Sequence, residues 1–170
     1  MKPVLNILYR GPLESCNYDC HYCPFAKKKN TRKELLYDKA CLDKFVDWVS
    51  QQPYTISILF TPWGEALIRN YYQAAIIGLS QLPNVKKVAI QTNLSSQLAW
   101  LEKTNKSKVA LWTTYHPTEI KMAQFVEKCQ QLITLNIKFS VGIVGKTAHF
   151  SEAQQLRDSL PKSVYVWVNA

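Results

Sequence analysis

No stretch of this chain approaches the ~18 to 20 consecutive apolar residues that a bilayer-spanning helix needs, so no membrane association is expected. Glycine and proline are few, 5 and 8 in 170 residues, which argues against long disordered segments. The opening "MKPVLNILYRGPLES" has one early Lys and a short apolar run, but no small-residue cleavage site, and it contains Asn6 and Arg10. It does not read as a signal peptide. A cytoplasmic setting is therefore expected, where thiols stay reduced. The five cysteines are odd in number and give no disulfide framework. Acidic residues are scarce too: 12 Asp and Glu face 21 Lys and Arg, leaving a net charge of +9.

What is present suits one folded domain over residues 1–170, because 47% hydrophobic residues can supply a real core at this length. Much of the positive charge is local, in "AKKKNTRK" at 26–33 and at Lys86, Lys87, Lys103, Lys106 and Lys108. Such lysines are either a solvated surface or a docking face for an acidic partner or anionic substrate. Nucleic acid is disfavoured as a partner, since the lysines are not interleaved with aromatics and no DNA-binding motif occurs.

Two hydrophobic periods alternate along the chain. Short β-branched runs appear at "VLNILY", "TISILFT", "VKKVAIQT", "KVALWTTY", "KFSVGIV" and "SVYVWVN". Helical stretches lie between them: one with Asp38 as its N-cap, one capped by Asn70, one from near Ser96, one from Thr118 and one opening at Ser151. Five β-α repeats and a sixth strand argue for a parallel sheet covered by helices.

Strand parity selects among the α/β architectures. In the later strands one parity is apolar: Val88 and Ile90, Val109 and Leu111, Phe139, Val141 and Ile143, Val164, Val166 and Val168. The other holds Gln91 and Asn93, Trp112, Thr114 and His116, Ser140 and Gly142, Tyr165, Trp167 and Asn169. A doubly wound sheet packs helices on both faces and would read as continuous apolar runs. A curved sheet instead turns one face to a lumen. The expected fold class is α/β, a six-stranded parallel partial (β/α) barrel lacking the final helix. Asn93, Trp112, Thr114, His116, Trp167 and Asn169 would line the lumen, with chemistry carried by the loops after the strands. The chain ends on the sixth strand itself, so a fragment, or a chain needing a partner or an oligomer, is expected.

Three of the five cysteines fall within eight residues, Cys16-x3-Cys20-x2-Cys23, just after the first strand. Thiolates are soft ligands suited to iron–sulfur clusters or zinc. A structural zinc site wants four protein ligands. His21 is adjacent but points elsewhere by its place in the sequence, while Cys41 and Cys129 sit on helices, where inert thiols are expected. Three ligands without a fourth leave a coordination position open for chemistry.

"CNYDCHYC" resembles the CxxxCxΦC signature of the radical S-adenosylmethionine superfamily, with Tyr22 as the aromatic Φ. The longer phrase "YRGPLESCNYDCHYCPFAK" is similar to an uncharacterised bacterial subgroup of it. The resemblance implies a 4Fe-4S cluster on Cys16, Cys20 and Cys23, with S-adenosyl-L-methionine chelating the fourth iron. It implies an enzyme whose reduced cluster cleaves S-adenosylmethionine to methionine and a 5′-deoxyadenosyl radical, which takes hydrogen from a substrate in the lumen. A low-potential acidic electron donor, such as flavodoxin or ferredoxin, is the implied partner.

"TPWGEALI" after the second strand resembles the family's GGEP element, which hydrogen-bonds the methionine ammonium. Gly64 and Glu65 match it, and Trp63 and Ala66 depart. The resemblance further places Thr114 at the ribose, Tyr22 near the adenine and Asn93 at the end of the third strand. His116 closes the fourth strand, where it could titrate near neutrality as an acid–base group. Gly142 and Gly145 also read as ordinary turn or bulge glycines, and His149 as a surface residue. Two other classes remain open on the residues alone: an iron–sulfur electron carrier without substrate chemistry, and a zinc-binding structural module.

Overall fold

All six β-branched runs form strands. A computed structural model describes residues 3–25 and 27–169. Met1, Lys2, Ala26 and Ala170 lie outside the described residues, so the first residue of the basic run and the ends of the expected domain do too. The strands are β1 (Val4–Tyr9), β2 (Thr55–Phe60), β3 (Val85–Thr92), β4 (Val109–Tyr115), β5 (Lys138–Val144) and β6 (Tyr165–Asn169). They make one sheet in the order β1-β2-β3-β4-β5-β6, with every neighbouring pair parallel.

Sequential order has a direct consequence. Each crossover advances one strand in the same direction, and crossovers of one hand put every helix on the same face. The other face is left uncovered, which is why the two parities differ. Val88, Ile90, Val109, Leu111, Val141 and Ile143 are buried under the helices. The register sets Gln91 beside Trp112, Trp112 beside Ser140, and Gly142 beside Trp167 on the opposite face. Val168 departs from the pattern: it shares the apolar parity but is 55% exposed on the edge strand.

The α-helices are α1 (Arg32–Ser50), α2 (Asn70–Gln81), α3 (Met122–Thr134) and α4 (Phe150–Asp158). α1 starts well before the expected Asp38. Thr31 accepts from the Glu34 backbone N–H at 3.3 Å, and Glu34 accepts from the Thr31 N–H at 2.7 Å, a capping box inside the lysine run. Asp38 is instead buried within the helix, accepting from the hydroxyls of Tyr71 and Tyr72 at 2.8 and 3.1 Å. α2 takes in the expected cap Asn70 as its first residue, α3 begins a few residues past Thr118 and α4 just before Ser151, all without side-chain caps of their own.

The helix expected from Ser96 is only a 3-10 segment, Ala99–Lys103. The chain before it is committed to a turn. Leu94 stands at φ 60, Asn93 Oδ1 accepts from the Ser95 N–H at 2.9 Å, and Lys128 Nζ donates to the carbonyls of Ser95 and Ser96. Among the described residues no helix is long and apolar enough to cross a membrane.

Candidate functional site

The cysteine loop leaves β1 and crosses the C-terminal ends of the strands, held chiefly at Ser15. Ser15 pairs with Lys27 in an isolated antiparallel bridge. Its carbonyl accepts the Glu65 N–H at 3.2 Å, and its hydroxyl accepts from Arg69 Nη2 at 3.2 Å. Lys27 Nζ donates to the Cys20 carbonyl at 2.7 Å, closing the loop on itself. The contact at Gly64 tolerates no side chain: a Cβ there would stand 1.8 Å from the Ser15 carbonyl oxygen. The loop after β2 thus approaches the cysteine loop backbone to backbone, which only glycine allows.

Between these loops and the open face of the sheet lies a cavity of ≈ 440 Å³. Cys16, Cys20 and Cys23 line it, as do Tyr22, Gly64 and Glu65. From the strand ends come Asn93, Thr114, His116, Trp167 and Asn169. Every residue expected at the cluster and cofactor sites therefore reaches one wall. Trp112 does not line the cavity; its ring packs edge-on against Trp167, centroids 5.4 Å apart.

Each thiol is engaged locally. Cys16 Sγ receives the Tyr18 N–H at 3.4 Å and Asn93 Nδ2 at 3.7 Å. Cys20 Sγ lies 3.4 Å from His116 Nδ1, and Cys23 Sγ donates to the Phe25 carbonyl. Among the described residues no three Cys, His, Asp or Glu side chains are already drawn together as a metal-ligating group. Burial raises the Cys16 thiol above its ordinary pKa and Cys20 to about 11, so both are protonated thiols without a cation. Three soft donors from one anchored loop, facing a common cavity, fit a group that binds thiolates and is large enough to gather them.

Glu65 is the most buried ionisable group of the site, 2% exposed. Oε1 accepts from the Leu67 N–H and from Thr92 Oγ1, both at 2.9 Å, and Oε2 accepts the Asn93 N–H at 2.6 Å. Desolvation outweighs these bonds and pushes its carboxyl up to about 7. The side chain caps the 3-10 turn Ala66–Ile68 and straps it to the end of β3. One lone pair of Oε2 is left for a further donor.

All three histidines of the chain gather around Tyr22. His116 stacks on it at an interplanar angle of 10°, with Nδ1 3.1 Å from the phenol oxygen. His21 and His149 meet the ring edge-on, and Lys146 Nζ sits 5.3 Å from its centroid. Two expectations change here. His149 is not a surface residue but buried, with Nδ1 3.1 Å from the Val144 carbonyl oxygen. His116 does not titrate near neutrality: burial lowers it to about 4, so it is a neutral imidazole at pH 7.

Some cavity residues escaped the sequence pattern. Tyr18 packs edge-on to His116. Phe25 and Trp63 stack at the rim with centroids 5.7 Å apart, and the Arg10 guanidinium carbon lies 5.9 Å from the Trp63 ring. Trp63, the departure from the glycine of the resembled motif, was the available signal.

No protein-family model matches the sequence, and no curated protein matches it. Among solved structures, it is similar to hexahistidine-tagged anSMEcpe with bound AdoMet, with a TM-score of 0.59 and 13% identity over 98% of this chain. The likeness is one of fold, a six-stranded parallel partial (β/α) barrel. This chain spans half the length of that protein.

Proposed function

We propose that the chain is a radical S-adenosylmethionine enzyme, built as one domain and working in the cytoplasm. The observation that carries this reading is the convergence of Cys16, Cys20 and Cys23 with Glu65, Asn93, Thr114 and His116 on one cavity, at the C-terminal end of an open parallel barrel. The bound AdoMet of the fold neighbour supports it. The three cysteines would hold a 4Fe-4S cluster. When bound and reduced, that cluster would supply the electron that splits the S–C5′ bond of S-adenosylmethionine into methionine and a 5′-deoxyadenosyl radical.

The protein's own part is binding, orientation and exclusion of water. The Gly64–Glu65 turn lies against the cysteine loop, and the free lone pair of Glu65 Oε2 suits the methionine ammonium. The Thr114 hydroxyl suits the ribose. Tyr22, fixed by its three histidines, offers a wall for the adenine. Neutral His116 can exchange hydrogen bonds with Cys20 and Tyr22 without adding charge beside the sulfur. Trp167 and Asn169 bound the space in which a substrate C–H would be held, and a bound substrate that fills it would keep water from a reactive intermediate.

An acidic low-potential electron donor is the partner that the charge suits. Lys27, Lys28, Lys29, Arg32 and Lys33 are exposed immediately after the cysteines. The testing experiment is anaerobic reconstitution with iron and sulfide, followed by reduction with S-adenosylmethionine. Four irons per chain and 5′-deoxyadenosine are expected, both lost in Cys20→Ala and retained in Cys41→Ala and Cys129→Ala. Iron and sulfide without 5′-deoxyadenosine would make the chain an electron carrier; zinc without sulfide would make it a structural zinc module.

A further inference from the structure

Asn93 is held by every polar group of its side chain and by its backbone N–H. The N–H goes to Glu65 Oε2 at 2.6 Å, and Oδ1 accepts the Ser95 N–H at 2.9 Å. That second bond decides the amide orientation, because a backbone N–H can face only the oxygen. Nδ2 is thereby turned to the cysteine loop, where it donates to Asn17 Oδ1 at 3.1 Å and to Cys16 Sγ at 3.7 Å. Asn93 is 5% exposed, so water does not compete strongly for these donors. The next residue, Leu94, stands at φ 60, a left-handed conformation that is unfavourable for a residue with a β-carbon. The strain sits where the chain turns sharply to keep Asn93 in place.

An asparagine here does more than make a turn. Asp, Ser or Thr would accept the Ser95 N–H in the same local motif. Only asparagine also delivers an N–H to a sulfur. Cys16 has this side-chain donor besides the Tyr18 backbone N–H, whereas among the described residues the Cys23 thiol meets the Phe25 carbonyl, an acceptor.

We infer that Asn93 is a tuning residue, which donates its amide N–H to the Cys16 sulfur and thereby raises the reduction potential of the cluster held there. The inference rests on the reading that Cys16 ligates an iron–sulfur cluster. A hydrogen bond to a ligating sulfur favours the more negative, reduced form, so the donor makes reduction easier. Glu65 and Thr92 act through Asn93: their bonds fix the backbone from which the amide is aimed.

The test is the midpoint potential of the reconstituted protein, wild type against Asn93→Ala and Asn93→Asp. Asp retains the bond from the Ser95 N–H but replaces the donor with an acceptor. Both variants are expected to fall by roughly tenfold or more in the ratio of reduced to oxidised cluster at a given potential, about 59 mV for one electron. The reduced wild-type protein, labelled with 15N in the asparagine side-chain amide, is expected to show magnetic coupling between that nitrogen and the cluster, retained in Asn17→Ala. Unchanged potentials in variants that still hold four irons overturn the inference and leave the cluster reading intact. If the variants assemble no cluster, absence of the 15N coupling in the wild type overturns it. A wild-type protein that takes up no iron and sulfide overturns both.

Discussion

The backbone N–H of Asn93 donates to Oε2 of Glu65 at 2.6 Å, joining the loop after β2 to the end of β3 beneath the cysteine loop. Glu65 thus ties together three pieces of backbone: its carboxylate holds its own 3-10 turn and the end of β3, and its backbone N–H donates to the Ser15 carbonyl. The acid is a structural strut.

That strut carries a pH signature. Its folded pKa is raised to about 7 by burial, above an ordinary carboxyl near 4.5. The associated stability is fully present below pH 4.5 and lost as pH rises through about 7, on the order of 1 to 3 kcal/mol. His116 works in the opposite sense: its folded pKa of about 4 means stability present above 6.5 and lost as pH falls through 4. Urea midpoints of the cluster-free protein should therefore show a smaller rise-and-fall than either group alone gives. Glu65→Gln should take away the Glu65 slope and leave that of His116 uncompensated, so that its midpoint rises from pH 4 to 6.5 more steeply than in the wild type. An identical pH profile in wild type and Glu65→Gln would show that the carboxyl titrates normally.

Two glycines make a matched pair. At Gly64 an added methyl meets the Ser15 carbonyl oxygen at 1.8 Å, while at Gly78, within α2, it meets nothing within 4 Å. Gly64→Ala must therefore move the cysteine loop or the loop after β2, costing about 1–3 kcal/mol and reducing iron uptake on reconstitution. Gly78→Ala should stabilise by about 0.5–1 kcal/mol through helix propensity and leave iron uptake unchanged. Denaturant titration and iron analysis of both variants check this.

The sequence pattern reached unevenly into this structure. Three strands, β1, β3 and β5, coincide with their β-branched runs, because period-2 burial on a one-sided sheet is written directly in the residues. The cysteine spacing also pointed to the cavity where all three thiols are found. Helix starts were harder to read. The Thr31–Glu34 box lies inside a lysine run, and the turn that displaced the Ser96 helix is set by Lys128, a residue on α3 far along the chain. The burial of Glu65 and His116 was not legible either, since desolvation depends on packing between loops that sequence proximity does not show.

The basic strip yields a kinetic prediction. Lys28 is paired with Glu14 and Glu34, at 3.3 and 2.8 Å, and Lys27 stands 3.7 Å from Asp19, while Lys29, Arg32 and Lys33 extend the positive surface beside the cysteines. Reduction of the reconstituted protein by an acidic one-electron donor protein should slow steeply between low and physiological salt. Reversing Lys29 and Lys33 together to Glu should slow it roughly tenfold at low salt, with little effect when a small uncharged reductant is used. Stopped-flow rates that ignore both salt and charge reversal would place the docking face elsewhere.

The far wall of the cavity is set by Gly142 and Trp167. A β-carbon on Gly142 would lie 2.5 Å from Trp167 Cζ2, so the indole lies directly on the glycine. Trp167 is also packed edge-on to Trp112 at an interplanar angle of 66°, a geometry that couples the two indole transitions. Gly142→Ala should push the Trp167 ring off β5 and into the cavity. The expected results are a fold destabilised by about 1–3 kcal/mol and an altered indole circular-dichroism couplet. S-adenosylmethionine should bind the reconstituted variant more weakly, and iron content should match the wild type, because the cysteine loop is anchored on the opposite side at Ser15 and Gly64. A changed couplet with unchanged binding would mean that Trp167 bounds space the ligand does not occupy. It would assign that part of the lumen to the substrate instead.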